Sequence, residues 1–169
     1  MKLTRDLRML TRYSTWANER LFDLLESLHP AELTAPRQTG LGSMLATLGH
    51  NHVIDLIWKS HLEGRRHGFT SRVPQVVLPL DALRTAQAEV DGWYVGYADA
   101  LTEQAHAEIV HFDFVDGGTG TLSRGDMLLH VINHKTYHRG YVADMLYQAG
   151  FKPPVMDIPV FMRDAPPVL

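Results

Sequence analysis

The chain has no cysteine among its 169 residues. That excludes a disulfide framework, a thiolate metal site and a cysteine nucleophile of the protein's own. Long apolar runs are missing as well. No uninterrupted stretch approaches the ~18 residues needed to span a bilayer, so no membrane partner is expected. Positive charge is not in excess: 16 lysines and arginines stand against 19 aspartates and glutamates, a net charge of −3. With a pI near 6.3, nothing marks a nucleic-acid partner. Residues 1–6 place charges around a single leucine with no apolar segment behind them, which is not a secretory signal. The expectation is a cytoplasmic protein.

What is present is an ordinary globular balance, 45% apolar and 21% charged. The length suits one domain, residues 1–169, with a single sizeable core. Apolar residues fall at helical spacing over residues 3–28, through Leu7, Leu10, Tyr13, Ala17, Leu21, Leu24 and Leu28. His29-Pro30 stops this first helix, and residues 30–33 have room for one helical turn. A second helix is expected over residues 43–63, with Ser43 near its start and Gly64 as its stop. A long irregular crossover, residues 68–79, leads to a third helix over residues 80–102.

The period then changes to two. Ile109, His111 and Asp113 alternate with Val110, Phe112 and Phe114, the pattern of a half-exposed strand. Asp116-Gly117-Gly118 is turn chemistry, and residues 119–122 form the return strand. Ser123 and Asp126 resemble a capping box opening a fourth helix over residues 124–148, with Gly150 as its stop. The proline-rich tail is expected to pack as extended chain around residues 158–161. The fold class is therefore all-α: a four-helix bundle with a long crossover and a small β-hairpin between helices three and four.

Ten histidines are the compositional oddity, and three recur every fourth residue: His130, His134 and His138. Residues four apart share a helix face about 6 Å apart along the axis, so two imidazoles can reach one ion while the outer pair, about 12 Å apart, cannot. Setting Asp126 at 0° and advancing about 100° per residue places Met127 and Met145 at about 100°, Val131 at about 140° and Val142 at about 160°. His134 at about 80° and His138 at about 120° lie within this apolar stripe, and His130 at about 40° lies beside it. On the second helix, His50 falls among Ala46, Ile54 and Ile57, whereas His52 falls on the charged side.

A buried imidazole needs a polar partner. Two adjacent ones on an apolar stripe, joined by an inward histidine from another helix, offer three nitrogen ligands with no carboxylate or thiolate to close the shell. Open coordination marks catalytic rather than structural sites. His61 is three turns from His50 and cannot join the same ion. His29, His67, His106 and His111 read as solvated, and His130 as an exposed residue or a group orienting a neighbour.

These blocks resemble the DinB family of four-helix-bundle metalloproteins. Residues 13–21 (YSTWANERL) are similar to its first-helix pattern, residues 48–58 (LGHNHVIDLIW) to its second and residues 130–140 (HVINHKTYHRG) to its fourth, the most specific of the three. Residues 157–163 resemble the tail that follows. The resemblance implies a divalent metal, nickel or zinc, on His50, His134 and His138. Trp16, Ala17, Asn18 and Asp55 also match, and read as packing and helix–helix hydrogen bonding.

His134 to His138 has the H-x-x-x-H spacing of zinc proteases, but Lys135 stands where those enzymes carry a glutamate base. A peptidase is not expected. The resemblance implies instead a metal-dependent transferase with a low-molecular-weight thiol as cosubstrate, and Tyr141 is the one candidate acid or base. A non-catalytic metal-binding or stress-response bundle is the alternative. Relatives often dimerise, and Leu129, Ile132 and Ala143 form a second apolar side suited to a homodimer. Because imidazole ligates only when neutral, metal affinity is expected to fall as pH drops through about 6.5.

Overall fold

The inward spacing of Leu7, Ala17, Leu21 and Leu25 turns one face of α1 (Leu3–Glu26) into the core. The computed structural model describes residues 3–169; Met1 and Lys2, part of the charged N-terminal stretch, lie outside them. His29 caps the short α2 (Pro30–Thr34), its ring accepting from the Ala31 amide, and Ser43 caps α3 (Met44–Leu62) through the Ala46 amide. Such caps satisfy amides that the first helical turn leaves unpaired. Further helices are α4 (Leu80–Ala100) and the single turn α5 (Glu103–His106). Strands β1 (Ile109–Asp113) and β2 (Thr119–Ser123) precede α6 (Arg124–Gln148) and α7 (Ile158–Asp164).

The four long helices close a ring: α1 packs on α4 and α6, and α3 packs on the same two. The expected four-helix bundle is thus the architecture found. The two strands pair antiparallel, with Phe112 opposite Gly120, and Gly117 and Gly118 turn the chain at φ values of 91° and 87° that only glycine adopts freely. Arg124 ties the hairpin to the bundle, donating to Leu62 O at 2.7 Å, Tyr97 OH at 2.9 Å and Glu108 Oε1 at 2.8 Å. None of the described helices is long and apolar enough to cross a membrane.

Two expectations change. The tail is not extended throughout: Ile158–Asp164 is helical, with a proline in the first turn where its missing N–H costs nothing. Phe161 of this helix is buried against Tyr13 and Trp16, with ring centroids 5.9 and 5.5 Å away. The second apolar side of α6 is also not one surface. Ile132 belongs to the bundle's own core while Leu129 is half exposed.

The core is layered along the bundle axis. One apolar cluster gathers Leu7, Ile57, Trp58, Tyr94, Met127 and Val131 at one end; the other gathers Leu21, Leu25, Met44, Leu83, Val142 and Met145. Each fully buried leucine or methionine contributes about 1.5–3 kcal/mol. Between them lies a polar waist. Lys135, buried, reaches Asp55 Oδ2 at 2.9 Å and Asp91 Oδ1 at 2.5 Å. Gln87 Nε2 donates to both carboxylates, and Asn18 Nδ2 donates to Asp91 Oδ2 at 2.7 Å. Arg139 Nη1 donates to Asn18 Oδ1 at 2.9 Å. Two cations thus balance two carboxylates among buried side chains, and Lys135 stays charged because both carboxylates hold its proton against the cost of burial.

Candidate metal centre

The three histidines expected to converge do so on one flank of this waist. Centroid separations are 5.2 Å for His50–His134, 4.8 Å for His50–His138 and 4.4 Å for His134–His138. Each ring offers one nitrogen such that all three atoms lie within 4.8 Å of one another. Two nitrogens on one ion at ~2.1 Å can be at most about 4.2 Å apart, so the rings need only a small inward adjustment to share one. His138 is buried and His134 partly so, and the Nδ1 atoms of both are buried with no hydrogen-bond partner.

His50 is oriented by the crossover. Its Nδ1 lies 2.7 Å from the Arg72 carbonyl, which holds the proton on Nδ1 and leaves Nε2 as the free nitrogen. The crossover in turn rests on α3 at Gly49, where an added Cβ would lie 3.1 Å from the Pro74 ring. Burial drives His134 down to about 3, with the neighbouring rings and Lys135 adding to the effect. Burial likewise drives His138 down to about 4, His50 contributing. His50 is also lowered by burial. His134 and His138 are therefore neutral, the ligating form, well below pH 6.5, and burial moves His50 in the same direction. Loss of ligation to protons is displaced to lower pH than the unperturbed value implies.

Three neutral imidazoles with no carboxylate in the group suit a borderline divalent ion such as zinc or nickel, with positions left open. Two cavities flank the cluster. His50 and His134 line one of about 480 Å³, together with Trp58, Phe112 and Phe114. His138 lines a smaller one of about 180 Å³ with Tyr137, Tyr141 and Thr39. Tyr141 lies 5.7 Å from His138 between ring centroids, and its hydroxyl is 2.5 Å from that of Tyr137. That hydrogen bond raises the Tyr141 phenol and so keeps it protonated.

The remaining histidines separate by context. His130 is partly buried, its ring tilted against Trp58 at 4.6 Å and against His134 at 5.8 Å, and is not a freely exposed residue. His52 is half-buried with an unpartnered Nδ1, not on an open charged face. His61 packs on Trp58 and Phe112, outside the cluster. His67 and His106 are partly buried rather than solvated, His67 against His61 and His106 against Gly125; His111 is exposed.

Sequence reasoning missed the waist. It treated Lys135 only as an absent glutamate and did not place Asp91, Gln87 or Arg139. The signal was available: Lys135 falls at about 180° on the wheel used above, some 20° from Val142. Gln87 and Asp91 continue the Leu83 face at four-residue steps. Asn18 and Asp55, read as helix–helix hydrogen-bonding residues, have that role. The Arg72 carbonyl carried no signal, since any residue supplies one.

Known proteins resemble this chain in sequence and in fold. A chain titled Protein DinB, from Bacillus subtilis strain 168, is 24% identical over 148 residues, covering 84% of this chain and 85% of its own length. The crystal structure of a DinB-like protein from Bacillus cereus ATCC 10987 superposes with a TM-score of 0.58 at 20% identity. It covers 86% of this chain and 94% of that one, a likeness of fold. The model of the DinB family matches residues 1–168, and the chain belongs to the DinB family.

Proposed function

We propose that this protein is a divalent-metal-dependent enzyme that transfers a group to or from a low-molecular-weight thiol, with zinc or nickel held by His50, His134 and His138. The observation that carries the reading is three neutral imidazoles, one nitrogen each within 4.8 Å, set between two cavities. A divalent ion there supplies Lewis acidity, lowering the pKa of a thiol brought to it. The chain has no thiol of its own, so the thiol comes from outside. Two mouths on one centre suit two reactants. On the smaller side, Tyr141 offers a hydroxyl proton, held by its contact with Tyr137.

The other reading is a non-catalytic bundle in which the ion is structural. The layering of the core favours the enzyme. The buried apolar clusters and the Lys135–Asp55–Asp91 ion pairs supply extensive packing away from the three imidazoles. A structural ion carries folding free energy, and its removal unfolds the domain. Metal-stripped protein is expected to keep its helical circular dichroism and a cooperative melt. Calorimetry is expected to detect thiol binding to the zinc-loaded form and not the stripped one. Collapse on stripping, or equal thiol binding by both forms, contradicts the enzymatic reading.

A further inference from the structure

The larger cavity is built from rings. Trp58 forms part of one wall, with the tilted ring of His130 at 4.6 Å and Phe112 edge-on at 5.0 Å. Phe112 and Phe114, two residues apart on β1 and its extension, project to the same side, with ring centroids 5.1 Å apart. Ile54 and Ile57 complete the lining. The placement of the two phenylalanines is specified by what lies opposite. Phe112 pairs with Gly120, where a Cβ would sit 2.5 Å from the Phe112 ring and 3.1 Å from the Phe114 ring. Only a residue without a side chain lets both rings lie across the hairpin into the cavity.

Charge is arranged against anions. Arg72, the one guanidinium in the lining, is paired with Asp116 at 3.0 Å, and Asp113 makes no ion pair among the described residues. A volume of about 480 Å³ falls in the range of small-molecule sites, about 300–1,000 Å³. We propose that this cavity binds an uncharged, flat apolar molecule of about two fused rings, packed against the face of Phe114 and the accessible edges of Trp58 and Phe112 and presented to His50 and His134. The inference rests on the reading of the histidine cluster as the reactive centre, and it names the class of that centre's apolar substrate. Ring stacking supplies affinity at about 0.5–1.5 kcal/mol per aromatic pair beyond burial.

Three probes sharing one ring system separate shape from charge: 2-naphthalenemethanol, 2-naphthoate and 2-naphthylmethylammonium. Calorimetric titrations use zinc-loaded and metal-stripped full-length protein, with zinc content measured separately. The alcohol is expected to bind both forms. On stripped protein, naphthoate is expected to bind at least fivefold more weakly than the alcohol, and the ammonium no more tightly than the alcohol. Phe114→Ala, at an exposed position, is expected to weaken the alcohol severalfold while zinc content stays unchanged. Gly120→Val, which displaces both rings, is expected to do the same. Absence of alcohol binding overturns the proposal. So does naphthoate binding as tightly as the alcohol to stripped protein, tighter binding of the ammonium, or unaltered affinity in both variants. Because the alcohol is scored without metal, failure of the metal reading and failure of this one show in different titrations.

Discussion

Lys135 illustrates how one residue carries two messages. In the sequence it removes the protease base; in the fold it is the cation between Asp55 and Asp91. Removing one partner of a buried pair leaves uncompensated charge and costs about 3–5 kcal/mol, whereas neutralising the whole set costs far less. Lys135→Ala is therefore expected to lower unfolding stability by that amount. The combination Lys135→Met, Asp55→Asn, which removes one charge of each sign and leaves Arg139 balanced by Asp91, is expected to recover much of it, as read by urea denaturation.

The imidazoles make a second residue-scale prediction. Unfolded histidines take up protons near pH 6.5, but the fold holds His134 to about 3 and His138 to about 4. Between pH 6.5 and 4 the unfolded chain binds more protons, so metal-free stability falls as pH falls. Asp55, pushed up to about 6 by burial, acts in the opposite sense. The measurement is therefore a difference. The pH dependence of the urea midpoint is expected to be shallower in His134→Asn, His138→Asn than in the parent.

At the scale of elements, much was legible because period and caps are local. Helix α6 runs over the expected residues, with Ser123 Oγ accepting from the Asp126 amide as the capping pattern implies. The hairpin was legible from its two-residue alternation. The wheel sets His134 and His138 on the core stripe of α6 and His50 on an apolar face of α3, while the axial register that brings the three together is a tertiary property no single-helix pattern carries. What the pattern hid was α7. Asp157-Ile158-Pro159 is a helix start, but its meaning depends on a distant groove between Tyr13 and Trp16. Tyr13 also anchors the approach, donating to the Met156 carbonyl at 2.8 Å. Phe161→Ala is expected to cost about 3 kcal/mol, and Tyr13→Phe about 1 kcal/mol, both measured by thermal or urea unfolding. The cavity walls were equally hidden, since Trp58 and the hairpin rings meet only through tertiary packing.

For the whole molecule, the apolar–polar–apolar layering assigns separate duties. The two apolar ends bury the bulk of the core, the ionic network ties α1, α3, α4 and α6 together at the waist, and the three histidines lie on its flank. The three imidazoles meet only while α3 and α6 are held in register. The most direct measurement is the metal content and zinc affinity of purified protein beside His50→Ala, His134→Ala and His138→Ala. One ion per chain is expected in the parent, with affinity at least tenfold weaker in each variant and the helical signal retained. Parent-like zinc affinity in any one of the three variants would contradict the three-histidine centre.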